Sequence, residues 1–366
     1  MQRVLPFCAV AVLSLACSSG RSAFTGLPAD AGAEGPDAHV PDGGADVISE
    51  EVTVAVDGRS VAGTLTLPAG SGPFPALMLI AGSGPTNRDW LSPLLPGEFG
   101  SGRLLAEALA AQGVATMRYD KLGAGASAAP AVVSWQDYQD EQVAVLDYLR
   151  TEPRVDAARV VIAGHSEGGL HALRLFPHLE HKPAAVILLA TAGEPFEALI
   201  ARQIDDQLRL AGVSDTVREH ELTALHDALA AVVAGRAPDL EAFAFAGVRA
   251  LVQSLLDARA LPFVRELIGL DPRPLAAQLT GPVLVLQGEK DVQVRPDDAT
   301  ALTATLRQAG QTMVTELLSP LADHVLKRED RPFETLDPAL VGAGYGADRP
   351  LAPDVVPAIV AFVQSL

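Results

Sequence analysis

Residues 161–173 read VIAGHSEGGLHAL and place Ser166 between Gly164 and Gly168. A serine hydroxyl attacks a carbonyl carbon only when a base takes its proton, and the base in turn needs a carboxylate to fix its tautomer. Two later stretches offer these partners. VLVLQGEKD ends on Asp291, and TMVTELLSPLADH ends on His324. Serine, acid and histidine in this order would support acyl transfer through a covalent intermediate. Glu289, Asp297 and Asp323 are rival acids. Asp323 adjoins His324 and cannot easily face its imidazole, whereas Glu289 sits earlier in the same turn as Asp291 and is the rival to test. His165 adjoins the serine, but consecutive side chains point apart, so it is not expected to be the base. His171, one turn further on, is expected to pack.

Each of these residues needs an element to hold it. EVTVAV (51–56), Asp57-Gly58 and SVAGTLTLP (60–68) alternate as a β-hairpin does. FPALMLI (74–80) is a continuous apolar run, as in a strand buried on both faces. The pattern then predicts a helix over 103–113, a strand over 114–119, and a helix from Ser134, capped with Asp137, to Leu149. Next come a strand over 159–164, a helix from Gly168 and a strand over 184–190. Strands over 283–287 and 312–318 flank a helix near 297–309, and a last helix lies near 354–365. This alternation predicts an α/β fold with a mostly parallel sheet and helices on both faces. Sites in such sheets lie beyond the carboxyl ends of the strands, which selects loops 81–89, 120–127, 164–168, 191–196, 288–294 and 319–327. Ser166 then sits in a tight strand-to-helix turn, with the Glu167 N–H facing a developing oxyanion. In the loop Ala81-Gly82-Ser83-Gly84-Pro85-Thr86-Asn87-Arg88-Asp89, the Ser83 N–H is the best second donor. Residues 194–276 break the alternation and read as a helical cap. His220 and His226 lie on its helices and are expected at the surface or in packing.

Composition narrows the classes. The chain has 366 residues, of which 49% are hydrophobic and 20% charged, and a net charge of −18. There is no basic stripe to meet phosphates, so nucleic acid is not expected as a partner. No metal-ligand cluster appears, and Gly123-Ala124-Gly125 lacks the third glycine and the helix of a nucleotide site, so no cofactor is implied. At the N-terminus, Arg3 precedes an apolar run from Val4 to Ala16, too short to span a bilayer and suited to a signal peptide. Leu13-Ser14-Leu15-Ala16-Cys17 resembles a bacterial lipobox, which implies cleavage after Ala16 and a lipid on Cys17. Both cysteines, Cys8 and Cys17, fall in this segment. The expected organisation is a signal peptide over 1–16, a Gly/Ala/Pro/Asp-rich tether over 17–48, and a catalytic domain over 49–366 with its helical cap. The expected location is the cell envelope, anchored to a membrane.

The blocks AGSGPTNRD, RYDKLGAGAS (118–127), AGHSEGG (163–169), LQGEKDVQV (286–294) and DHVLK (323–327) together resemble the α/β-hydrolase superfamily. They look most like its bacterial carboxylesterase branch of the EstD type, often described as serine-aminopeptidase-like. The resemblance covers residues 50–366. It implies Ser166, Asp291 and His324 as a catalytic triad, Ser83 and Glu167 as backbone oxyanion donors, and a small ester as substrate. Ala81 departs from the histidine that many relatives carry there. A peptidase of short peptides is the alternative, and Asp205, Asp206, Glu219 and Glu221 could then form an anionic groove for a free amino terminus. A non-catalytic envelope binding protein is a third reading. Oligomeric state is not legible.

Overall fold

The computed structural model describes residues 47–366. The signal peptide and Cys17 lie outside the described residues, as does the tether up to residue 46. Strands β1 (Ile48–Val56) and β2 (Arg59–Leu67) form the expected hairpin across Asp57-Gly58, both with positive φ. Ile48, assigned to the tether by composition, instead begins the hairpin, because its backbone pairs opposite Leu67.

The chain continues as β3 (Phe74–Ile80), α1 (Ser101–Ala110), β4 (Ala115–Tyr119), α2 (Trp135–Thr151), β5 (Val155–His165), α3 (Glu167–Leu175) and β6 (Ala185–Leu189). Helices α4 (Phe196–Leu210), α5 (Asp215–Val233), α6 (Ala246–Ser254), α7 (Leu261–Ile268) and α8 (Pro272–Ala276) follow, and then β7 (Val283–Gly288), α9 (Pro296–Gln308) and β8 (Val314–Ser319). A short α10 (Pro338–Val341) and α11 (Val355–Gln364) close the chain. Helix α2 starts where expected. The Ser134 side chain accepts from the Asp137 N–H while the Asp137 carboxylate accepts from the Ser134 N–H, a reciprocal capping box.

The strands form one eight-stranded sheet in the order β1-β2-β4-β3-β5-β6-β7-β8. The β1–β2 and β2–β4 pairs are antiparallel and all later pairs are parallel. Successive side chains of a strand face opposite sides, and β3 shows the result. Ala76, Met78 and Ile80 pack in one apolar layer with α2, α3 and α9, whereas Leu77 and Leu79 pack in the other with α1 and α11. That is why FPALMLI needs no polar face. Helices α4–α8 lie between β6 and β7 in sequence, and their apolar residues, among them Leu225, Val252 and Phe263, join the first of these layers.

Candidate active site

The carboxyl ends of β3 to β8 bring the sequence-selected loops to one edge of the sheet. Ser166 follows β5 directly, with φ 55° and ψ −121°, a conformation that L-residues adopt only under constraint. The constraint is visible on both sides. The Ser166 N–H donates to the Leu189 carbonyl at 2.8 Å, and the Ser166 carbonyl accepts from the Gly169 N–H at 2.9 Å. A Cβ on Gly164 would collide with the carbonyl oxygen of Gly168, and one on Gly168 with that of Ile80. Strand, turn and helix fit together because both positions lack a side chain.

His324 Nε2 stands 3.2 Å from Ser166 Oγ, and its Nδ1 stands 2.7 Å from Asp291 Oδ2. A carboxylate can only accept, so the Nδ1 carries the proton and Nε2 is left to accept from the serine hydroxyl. Asp291 is fully buried and saturated. Its Oδ1 accepts from the Gln293 and Val294 N–H groups, and its Oδ2 accepts from Gln287 Nε2 as well as from the imidazole. The rival acids stand elsewhere. Asp323 pairs with Arg349 at 2.6 Å and accepts from the Val325 and Lys327 N–H groups, while Glu289 and Asp297 are exposed.

His165 has a different task. Its Nε2 donates to the His324 carbonyl at 2.7 Å, its ring stacks on Trp90 at 4.4 Å, and its Nδ1 is buried without a partner. Burial, with the His324 ring nearby, pushes its pKa down to about 3, so it stays neutral and holds the loop that carries His324. His171 packs, as expected: it lies between Trp135, Tyr138 and Phe263, and Gln142 Nε2 stands 3.0 Å from its Nδ1.

Ser83 and Ser166 line the same cavities, and a Cβ on Gly82 would stand 3.4 Å from that of Ser166. Among the described residues, neither the Ser83 nor the Glu167 N–H donates within the chain, and both groups are thus open to an acceptor. Two crossed ion pairs fix the loop that carries Ser83. Arg88 pairs with Asp120 at 3.0 Å and also donates its N–H to that carboxylate, and Asp89 pairs with Arg118. The AGSGPTNRD and RYDKLGAGAS blocks therefore clasp each other.

Several contributors were not anticipated from sequence. Lys121 is buried beside Glu167, and its Nζ donates to Glu167 Oε1 at 2.9 Å and to the Gly82 carbonyl at 2.7 Å. Burial alone would raise the Glu167 carboxyl, but the Lys121 ammonium and the His171 imidazole 3.5 Å away hold it down to about 2. Gln293 donates to the Tyr345 hydroxyl, and both line the cleft. Lys327 is buried and donates to the carbonyls of Phe99, Tyr345 and Ala347, tying the wall of the cleft to the His324 loop. A lysine directly beyond a strand end, or at the close of an apolar block such as HVLK, is the only sequence signal these residues leave.

Glu141 lies behind the 120–127 loop. Its Oε2 accepts from the Leu122 N–H at 2.7 Å, its Oε1 is unpartnered, and burial raises its pKa from 4.5 to about 8. Between these two values the folded chain keeps a proton that the unfolded chain releases, so stability falls as pH rises, by up to ~1.4 kcal/mol per pH unit. Glu141→Gln removes that linkage. Its urea midpoint is expected to gain on wild type steadily from pH 5.5 to 8, and a pH-independent difference would mean that Glu141 is ionised in the fold. His165 acts in the opposite sense: below about pH 6.5 the unfolded histidine takes a proton that the folded one refuses, and stability falls on acidification.

Two cavities meet at Ser166. The larger, an open cleft of about 580 Å³, is walled by Trp90, Leu91, Leu95, Tyr345 and His324. The smaller, about 390 Å³, is walled by Leu170, Ala192, Phe196, Leu199 and Val294, and so lies partly under α4. The four acids considered for amine capture line neither cavity. Asp205 pairs with Arg218, Asp206 pairs with Arg209 and Arg295, Glu221 is buried and accepts from the Ala244 and Phe245 N–H groups, and Glu219 is exposed. His220 stands 3.1 Å from the Ala242 carbonyl and His226 faces Glu197, both on the exterior. Among the described residues no group of three or more His, Cys, Asp or Glu is arranged to hold a metal.

A strand–serine–helix elbow with acid and histidine on later strand ends, in a mostly parallel sheet, is the arrangement of the α/β-hydrolase fold. Comparison with known proteins agrees. The model of the serine aminopeptidase S33 family matches residues 100–223, which hold the elbow but neither Asp291 nor His324. The chain is 28% identical to esterase EstD of Thermotoga maritima over 251 residues, covering 68% of this chain and 54% of that protein, so it spans about half the relative's length. Among solved structures, Est1E of Butyrivibrio proteoclasticus with ferulic acid bound aligns over 86% of this chain and 98% of its own, with a TM-score of 0.52 at 18% identity. An esterase of Pyrococcus furiosus aligns over 87% and 90%, with a TM-score of 0.54 at 10% identity. The chain is an α/β-hydrolase by fold, and in sequence it is similar to the EstD-type esterases.

Proposed function

We propose that this protein hydrolyses carboxylic esters of small molecules, with Ser166 as nucleophile, His324 as general base and then acid, and Asp291 as the acid that orients it. The observation that carries the reading is the unbroken series Ser166 Oγ, His324 Nε2, His324 Nδ1, Asp291 Oδ2 at the wall of an open cleft. The serine hydroxyl passes its proton to His324 as it attacks the ester carbon, and the N–H groups of Ser83 and Glu167 receive the oxyanion. His324 then returns the proton to the departing alcohol. It lines the larger cleft and not the smaller cavity, so the alcohol leaves through the cleft and the acyl group occupies the apolar space under α4. Water, activated by the same histidine, frees the acid. Ester cleavage is favoured over aminopeptide cleavage because neither cavity offers a free carboxylate to an ammonium group: Glu167, the one acid lining the smaller cavity, is already paired with Lys121.

A fluorophosphonate label followed by p-nitrophenyl esters of increasing acyl length tests the reading. The label should fall on Ser166, and short acyl chains should turn over best. Protein inert to the label, to esters and to aminoacyl amides would leave only a non-catalytic role.

We further propose a membrane-anchored protein of the bacterial cell envelope, held by lipid on Cys17. No helix among the described residues is long and apolar enough to cross a membrane. Cys17→Ser is expected to move the protein from the membrane fraction to the soluble fraction; a variant that stays with the membrane rejects the anchor.

A further inference from the structure

Lys121 touches both segments that bear the candidate oxyanion donors. Its ammonium, at the end of β4, donates to the carbonyl of Gly82 and to the side chain of Glu167, the residue directly after Ser166. Lys121 and Glu167 are 2% and 6% exposed at their side chains, so both contacts are largely withdrawn from bulk water. In a trans peptide the carbonyl and the following N–H point in opposite directions. The carbonyl of the Gly82–Ser83 peptide is pinned to Lys121, and the N–H of that same peptide belongs to Ser83. Fixing one end aims the other. A cation on the carbonyl also polarises the amide and strengthens its N–H as a donor, in nearly buried surroundings where screening by water is weak. The second contact acts on Glu167, whose side chain is tethered while its N–H, at the start of α3, stays open.

We propose that Lys121 is a positioning residue for the oxyanion hole: one buried ammonium sets the direction of the Ser83 N–H and holds the Glu167 N–H at a fixed distance from it. This deepens the esterase reading and rests on it. Charge balance explains the rest of the arrangement. Glu167 neutralises the ammonium, so the pair can be buried between the two loops without leaving net charge beside the reacting atoms. A buried ion pair elsewhere in the core would touch neither donor segment; this one is bonded to both.

The test separates aim from stability. Lys121→Met leaves the Glu167 carboxylate without its cation, so Lys121→Met/Glu167→Gln, which removes both charges together, is made beside it. Ester turnover is measured with thermal midpoints, and each protein is treated with a trifluoromethyl ketone labelled with ¹³C at the carbonyl. The ketone forms a hemiketal with Ser166, and the pKa of its oxygen, read from the carbon shift, reports oxyanion stabilisation. The expected result is a fall in kcat of ~10- to 100-fold at nearly constant KM, somewhat less than the loss of a whole donor, with the hemiketal pKa raised by about one unit or more. Lys121→Arg, which keeps a cation at the same carbonyl, should recover part of both. A folded double variant with wild-type kcat and hemiketal pKa overturns the proposal, as does a fall in thermal midpoint alone. Wild-type protein that forms no hemiketal and cleaves no ester defeats the esterase reading itself, and this proposal with it.

Discussion

Ser166→Ala is expected to abolish ester hydrolysis, by a factor on the order of 10⁴ or more, while leaving thermal stability within a few tenths of a kcal/mol. Ser166→Gly should be equally inactive and yet more stable than wild type. The two variants differ because the strain at this position belongs to the Cβ and not to the hydroxyl. At φ 55° and ψ −121° any L-residue is held in a disfavoured conformation, which costs ~1–3 kcal/mol, and alanine retains that cost. Glycine sheds it and gives back ~0.5–1 kcal/mol in chain entropy, for a net gain of about 1 kcal/mol. Urea unfolding of the three proteins beside an ester assay checks both halves. Equal stability of the glycine and alanine variants would show that the turn is not strained, and turnover within about tenfold of wild type in either would remove Ser166 from the chemistry.

Asp291→Asn is expected to lower kcat by ~10³- to 10⁴-fold with little change in KM. Two backbone N–H groups, from Gln293 and Val294, point at Oδ1 of Asp291 and require an oxygen there. An asparagine must therefore turn its NH₂ toward His324 Nδ1. That nitrogen becomes the acceptor, the ring proton moves to Nε2, and Nε2 can no longer take the proton of Ser166. The NH₂ would also face Gln287 Nε2, another donor, so a modest loss of stability should accompany the loss of rate. The ¹H resonance of the His324 Nδ1 proton should vanish in the variant. An active variant with that resonance intact would show that Asp291 is not the orienting acid.

The sheet was legible because its strands are either alternating or uniformly apolar, and because Gly, Pro and Asp mark their ends. β3 is legible to the residue, since Pro73 and Gly82 bracket a run without a polar side chain. The hairpin started earlier than composition implied: Ile48 follows a polar, glycine-rich stretch and joins the sheet only through its backbone, which leaves no trace in side-chain pattern. Ser166, Asp291 and His324 were legible together because each closes or follows a strand in a topology that sends all such ends to one edge. What sequence could not express was pairing across loops. Arg88 and Asp120 are 32 positions apart, as are many unrelated charges, and nothing in either block names the other. Lys121 stands inside the RYDKLGAGAS block with nothing in the sequence to mark its task, because its two partners lie 39 and 46 positions away. The acids Asp205, Asp206 and Glu221 looked available for a ligand, and each already answers an arginine or an uncapped backbone N–H.

The helices between β6 and β7 share one continuous apolar layer with α2 and α3, and Phe263 of α7 stacks on Trp135 at 4.9 Å and on His171 at 5.7 Å. A lid that swings must leave its apolar underside exposed at every opening, and this one would have to peel aromatic rings from the body of the protein to do so. The insertion is better regarded as a fixed wall. The short 91–96 segment and the Tyr345–Gly346 corner, which line the larger cleft, are then the walls that can vary. Selectivity for the alcohol would be altered there, by loop exchange, without disturbing the layer that holds the remainder of the molecule together.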